Sequence, residues 1–294
     1  MTPGAGSGDT LDPARADLTS PRVVRALLAR HGLVADKRFG QHFLTERTVV
    51  EAVVEAAGVR DDDEVWEVGP GVGVLTRALA ERAERVVSVE LDDRLLPLLR
   101  ETLAGRDNVE LRHGDALRLD LAEVGPGSVL AANLPYNVGT AVLLRALSAG
   151  RFRRIGVLVQ LEVAERLVAG AGERAYGSLS LVVAHHGRAR ITRRVAAGVF
   201  VPPPTVTSAV VSIELDTEAR PDPVTFGLVR QGFAHRRKTL LANLRMAGLD
   251  AETVRIALDE CGLDPRVRAE ALDLTTFRRL ARRLTPGGHD AAPS

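Results

Sequence analysis

Five residues containing three glycines, Gly69-Pro70-Gly71-Val72-Gly73, stand between the strand-like run Glu64–Val68 and the helix-like run Leu75–Ala83. A turn this tight between strand and helix needs backbone conformations that most side chains forbid, and it brings main-chain N–H groups close to a ligand above the strand. The rest of the chain keeps the same rhythm. Strand candidates are Glu64–Val68, Arg85–Val89, Val109–Arg112, Val129–Ala132 and Ile155–Gln160, and crossover helices fit Leu75–Ala83, Arg94–Leu103 and Thr140–Leu147. Such alternation predicts a mainly parallel sheet covered on both faces. Three later apolar runs, Leu179–Ala184, Ile191–Ala196 and Ser208–Leu215, read as strands of an antiparallel edge.

The flanks differ in kind. Residues 1–19 are rich in Gly, Pro, Asp, Ser and Thr and read as a flexible tail, as do residues 285–294. Ser20-Pro21 opens a helix that Gly32 ends, and a second helix starts near Thr45 and stops at Gly58. Between them lies a basic and aromatic loop, Lys37 to Leu44, that periodicity does not explain. After Pro202-Pro203-Pro204, helices are predicted near 224–232, 236–246, 251–260 and 275–284. The expected organisation is an α/β domain over 20–216 and a small helical domain over 217–284.

Composition narrows the class. With 39 Lys+Arg against 38 Asp+Glu the net charge is +1, so nucleic-acid binding would have to use local basic clusters. The single cysteine, Cys261, excludes an intramolecular disulfide and a cysteine metal cluster. The histidines show no ligand spacing with carboxylates, and no metal is expected. Without a membrane-length apolar run or a signal-like start, the chain is expected to be cytoplasmic, monomeric and without a membrane partner.

Three polar points follow successive strands. The Gly69 loop has Gly-x-Gly-x-Gly spacing, which differs from the pyrophosphate fingerprint of dinucleotide-binding proteins. Glu90 ends the next strand, where a carboxylate accepts hydrogen bonds from both hydroxyls of a ribose. Asp115, in Gly114-Asp115-Ala116 after the following strand, suits the exocyclic amine of an adenine; it also suits an ordinary helix cap. Together they point to the nucleoside of S-adenosylmethionine, with Glu67 ranked below them.

Asn133-Leu134-Pro135-Tyr136 follows the fourth strand, at the mouth of the same crevice. The amine of a nucleobase is a poor nucleophile because its lone pair delocalises into the ring. An Asn oxygen and a nearby carbonyl accept its two N–H groups, and Tyr136 offers a face on which an unpaired base stacks. Phe200, before the proline run, is a candidate second wall. The fold class is therefore α/β, a Rossmann-like class I S-adenosylmethionine-dependent methyltransferase domain with a small C-terminal helical domain.

Across about 20–284 the chain resembles the bacterial small-subunit rRNA adenine dimethyltransferase family, which is related to the erythromycin-resistance methylases. The resemblance is carried by Arg38 to Leu44, Glu67 to Thr76, Asn133 to Asn137, Gln160 with Glu162 to Arg166, Tyr176 to Ser180, Phe200 to Pro204 and Phe233 to Leu240. It implies transfer of two methyl groups to N6 of each of two adjacent adenosines in the 3′-terminal hairpin of 16S rRNA, with S-adenosylhomocysteine as product. The expected partner is the small ribosomal subunit late in assembly. It further implies that His42, Leu44, Gly69, Glu90, Asp115 and Asn133 bind the cofactor, that Asn133 to Tyr136 carry catalysis, and that Tyr136 and Phe200 enclose the base. His42 stands where the family usually has Asn. Arg153, Arg154, Arg193, Arg194, Arg236, Arg237 and Lys238 are the expected RNA contacts. Two alternatives remain: a large-subunit (23S) adenine methylase and a noncatalytic nucleic-acid-binding factor.

Overall fold

The computed structural model describes residues 11–285; the expected tail segments 1–10 and 286–294 lie outside the described residues. A seven-stranded sheet is built from β2 (Glu64–Val68), β3 (Arg85–Glu90), β4 (Val109–His113), β5 (Ser128–Asn133), β6 (Phe152–Gln160), β7 (Gly187–Val195) and β9 (Ser208–Leu215). Its order is β4-β3-β2-β5-β6-β9-β7. The first five are parallel, and β9 runs antiparallel to both β6 and β7. The chain winds outward from β2 to β4 and then returns to lay β5 against β2, so a crevice opens at the carboxyl ends of these two strands. A separate two-stranded ribbon pairs β1 (Phe43–Leu44) with β8 (Phe200–Val201).

Helices cover both faces. On one side lie α1 (Pro21–Arg30), α2 (Arg47–Ala57), α3 (Val74–Ala80) and α4 (Leu96–Thr102), whose apolar residues share one cluster with Leu18, Leu44 and Phe200. The second helix packs so closely that a Cβ at Gly156 of β6 would lie 2.2 Å from the Ala57 nitrogen. The opposite face carries α5 (Gly139–Ser148), α6 (Leu161–Val168) and α7 (Ser178–His186) around Trp66, Leu130, Leu143 and Ile155. A third cluster holds α8 (Pro223–Gly232), α9 (Leu240–Met246), α10 (Ala251–Glu260) and α11 (Leu274–Leu284). Its core includes Tyr176 and Leu181 of the larger unit, and the Tyr176 hydroxyl donates to the Leu272 carbonyl at 2.8 Å.

Three expectations need correction. The run Leu179–Ala184 is helical, within α7; a short apolar run fits a buried helix as well as a strand, and here Ser180 Oγ accepts from Gly177 N–H at the helix start. Residues 236–239 precede α9, because Thr239 caps it by accepting the Ala242 N–H. The stretch 11–19 packs onto the sheet domain. Leu18 is 2% exposed, and the Arg77 guanidinium donates to the carbonyls of Pro13 and Ala16.

Candidate functional site

The crevice at the carboxyl ends of β2 and β5 is a cavity with about 1040 Å³ of empty space, open mouth included. Its floor is the glycine loop. Gly69, Gly71 and Gly73 all have left-handed backbones, with φ of 71°, 61° and 90°. A Cβ on Gly71 would meet the Phe43 ring at 3.0 Å, so the residue is required for both its conformation and its space.

Beneath this loop Glu67 is fully enclosed. Its Oε2 accepts from Thr76 Oγ1 at 2.7 Å and from Ser88 Oγ at 2.6 Å, which ties β2 to α3 and β3. Burial pushes its carboxyl up to about 7, the two hydroxyl donors oppose that rise, and neighbouring Glu90 adds to it. Glu67 supports the loop from below.

Glu90 ends β3 and is 6% exposed. Oε1 accepts from the Asp92 N–H at 2.9 Å, whereas Oε2 receives only a long 3.4 Å contact from the Gly71 N–H. Burial raises its pKa above the usual carboxylate range, main-chain donors at Asp92 and Gly71 pull it back, and the charge of Asp92 raises it further. An oxygen this poorly satisfied suits a hydroxyl donor from a ribose. Asp115 lines the same cavity at the end of β4, half-buried, with Oδ1 taking the Leu117 N–H at 2.8 Å and Oδ2 3.6 Å from Arg118. Here it caps the turn that follows β4.

The other side of the cavity comes from loops. Asn133 Nδ2 donates to the His42 carbonyl at 3.0 Å, which leaves Oδ1 without a donor among the described residues. The Leu134 carbonyl accepts no hydrogen bond among the described residues either; the turn that follows bonds to the Pro135 oxygen. Tyr136 is half-buried and its hydroxyl pairs with Ser208 Oγ at 2.5 Å; burial raises its phenol and that bond opposes the rise. The His42 ring lies 5.3 Å from the Tyr136 ring at an inclination of 31°.

Leu44, Gly69, Glu90, Asp115, His42 and Asn133 thus line one cavity with Pro135 and Tyr136. Phe200 does not. At 2% exposure it sits in the core, where β1–β8 pairing sets it opposite Leu44, so the expected second wall of the base pocket is absent from this structure. Sequence reasoning also missed the clips that hold the 36–42 loop over the cavity. Gln41 joins the Asp36 N–H to Asp92, and Asn137 Nδ2 donates to the Arg38 carbonyl. The unexplained loop between the first two helices was the only signal for them.

The basic clusters separate in the same way. Arg153 donates to Asp63 at 2.5 Å and to the Gly58 carbonyl, fixing the end of α2 to β6, so its guanidinium is a structural tie rather than a free phosphate contact. Arg154 pairs with Glu214, Arg194 with Glu165, and Arg193 bonds Thr48. Arg236 donates to the Arg174 and Tyr176 carbonyls. Arg237 and Lys238 are exposed and make no ion pair among the described residues.

This geometry sets a glycine loop and two strand-end carboxylates beside a pair of open acceptors. Residues 33–285 match the ribosomal RNA adenine dimethylase family. The chain belongs to that family. It is 45% identical to the ribosomal RNA small subunit methyltransferase A of Deinococcus radiodurans, covering 97% of this chain and 99% of that one. It is 40% identical to the protein of the same name from Geobacillus thermodenitrificans, covering 92% and 98%. The 23S rRNA methyltransferase ErmE superposes with a TM-score of 0.65 at 27% identity, over 82% of this chain and 98% of that one. A dimethyladenosine transferase from Plasmodium falciparum shares the fold, with a TM-score of 0.70 at 23% identity over 81% and 95%. The fold is that of class I methyltransferases, and this member of the dimethylase family is an enzyme. No helix among the described residues is long and apolar enough to cross a membrane.

Proposed function

We propose that this protein methylates N6 of two adjacent adenosines in the 3′-terminal hairpin loop of 16S rRNA, placing two methyl groups on each. It does so on a nearly assembled small ribosomal subunit, acting as a monomer. The observation that carries the chemistry is the orientation of Asn133. Its nitrogen is spent on the His42 carbonyl, so its oxygen and the Leu134 carbonyl are the two open acceptors at the cavity edge. Two acceptors hold the two N–H groups of an exocyclic amine and turn its lone pair away from conjugation with the ring.

The cavity fits S-adenosylmethionine: Glu90 for the ribose, Asp115 for the adenine, and the glycine loop for the rest. When bound, it supplies a methyl group activated by a sulfonium. The chain's own residues supply alignment, since methyl transfer depends more on the line between nucleophile and carbon than on a strong base. Tyr136 presents its ring to the base while Ser208 anchors its hydroxyl. Small-subunit specificity is supported by the 45% identity to the Deinococcus protein, against 27% for the large-subunit enzyme. Arg193, Arg194, Arg237 and Lys238 serve as phosphate contacts, with Arg237 and Lys238 the freest.

The test offers unmethylated small and large ribosomal particles with methyl-labelled S-adenosylmethionine and maps the product bases. Dimethylation of neighbouring adenosines in the small particle supports the proposal. Transfer only to the large particle overturns its specificity, and binding without transfer overturns its chemistry.

A further inference from the structure

The turn 234–238 between α8 and α9 carries His235, Arg236, Arg237 and Lys238 and is exposed along its whole length. Its two ends are fixed by the core. Phe233 packs against Tyr176 and Phe277, with ring centroids 6.2 and 6.1 Å apart, and the Leu240 N–H donates to the Val267 carbonyl. Within the turn one main-chain bond runs from the Lys238 N–H to the His235 carbonyl at 3.0 Å. A side chain beneath it does the rest. Asn243 of α9 is 2% exposed, and its Nδ2 donates to the Gly232 carbonyl at 2.6 Å and to the His235 carbonyl at 3.1 Å. Its Oδ1 is buried, and no donor reaches it among the described residues. Turning the amide over would set that oxygen against two carbonyl oxygens, so the nitrogen must face the turn. A buried acceptor without a donor costs stability. What the clamp secures in return is the path of an exposed basic turn. From the other side the Arg236 guanidinium donates to the Arg174 and Tyr176 carbonyls, which ties the same turn to the larger unit.

We propose that Asn243 is a positioning residue for RNA docking: it fixes the turn so that Arg237 and Lys238 meet the phosphate backbone already in place. This rests on the reading of Arg237 and Lys238 as phosphate contacts given above. The ordering of the turn is then completed on folding and is not charged against binding. Without the clamp two carbonyls lose a donor, and the turn samples several paths of which only some aim both cations at RNA. Asn243 lies beneath the surface, so its effect on binding passes through those two side chains.

The experiment is a double-mutant cycle read by filter binding to unmethylated small particles. It compares wild type, Asn243→Leu, the pair Arg237→Ala with Lys238→Ala, and all three changes together. Leucine keeps about the volume of the amide and removes both donors. Asn243→Leu should raise the Kd for the particle roughly three- to tenfold. It should also lower the salt slope toward that of the pair, with kcat at saturating particles within about twofold of wild type. Where Arg237 and Lys238 are already alanine, the same change should move Kd by less than about twofold. Equal losses with and without the two cations overturn the proposal, since Asn243 would then act on the fold as a whole. If the leucine variant does not melt cooperatively, Asn243→Ala, which admits water to both carbonyls, takes its place in the cycle with the same two outcomes. In the wild type the Lys238 amide should be protected from hydrogen exchange, and exchange at the rate of an unstructured peptide overturns the proposal whatever the variants do. Binding that is unchanged by the Arg237 and Lys238 pair overturns instead the phosphate-contact reading on which the proposal rests, and so is distinct from the other outcomes.

Discussion

The two sides of the cavity are built on opposite principles. The side proposed for the cofactor is made of strand ends: Gly69 and Gly71 follow β2, Glu90 closes β3, and Asp115 follows β4. Each position is fixed by a sheet ladder, and Glu67 braces the loop from below through Thr76 and Ser88. The side proposed for the target base is made of two loops, 36–42 and 134–138, clipped together by Asn137, while Gln41 ties the first loop to Asp92 and the His42 carbonyl ties it to Asn133. A small ligand of constant shape is served by a preformed site, which avoids ordering costs on binding. A nucleotide that must leave an RNA fold is served by walls that part to admit it. Asn133 belongs to both sides, because it ends β5 and bonds to the loop.

That double membership makes Asn133 the position of largest expected effect. Asn133→Ala removes an amine acceptor and also releases the His42 loop, so the methylation rate at saturating substrate should fall on the order of 10²-fold or more. S-adenosylhomocysteine affinity, measured by calorimetry, should change only several-fold. Equal losses in both would erase the distinction between the two sides.

Glu90→Gln tests the preformed side alone. Replacing a charged acceptor of ribose hydroxyls should weaken S-adenosylhomocysteine binding by roughly tenfold or more, with the single-turnover rate at saturation nearly unchanged. The wild type adds a pH signature. Burial holds the Glu90 pKa above the ordinary carboxylate value, and the ionised form is the one that accepts. Affinity should therefore decline on acidification earlier than for an exposed carboxylate, and the variant should lack that decline. A pH-independent wild type would show that Glu90 does not hold the ribose.

The basic residues give a smaller effect and a contrast of their own. Changing Arg237 and Lys238 to Ala should reduce the salt dependence of particle binding by about one unit of slope per residue, with thermal stability intact. Arg153→Gln should do the reverse, because it leaves the buried carboxylate of Asp63 without its partner. Filter binding across a salt series and a thermal melt separate the two outcomes.

Legibility in the sequence follows how local each determinant is. The glycine loop, Glu90, Asp115 and Asn133 were readable because each sits at a fixed offset from a strand whose period is visible in its own residues. Phe200 was not, because an aromatic before prolines fits core and pocket alike. Its fate is set by pairing with Leu44, far away in sequence. Arg153 looked like a surface charge until the fold delivered Asp63 from 90 residues upstream. Leu18 belongs to a stretch whose composition reads as a tail, and one buried leucine with two carbonyls bound by Arg77 outweighs that composition. In α7, the apolar run was seen and its period misjudged.

The smallest effect concerns Glu67, and it asks whether the rigidity of the cofactor side carries a cost in stability. Its carboxyl rises from an unfolded value near 4.5 to about 7 in the folded chain. Between those values the folded protein keeps a proton that the unfolded chain releases, so stability is full below the lower value, falls as pH rises through the upper one, and is flat beyond. Glu67→Gln cannot ionise and lacks that slope. It should be more stable than the wild type by about 1 kcal/mol near pH 8 and no more stable near pH 5, since one new amide N–H offsets part of the gain. Glu90 contributes a second slope of the same sign that persists in the variant. Urea unfolding at both pH values measures the difference. A gap that does not grow with pH would mean that Glu67 is ionised in the fold, and that the glycine loop rests on a charged brace rather than a neutral one.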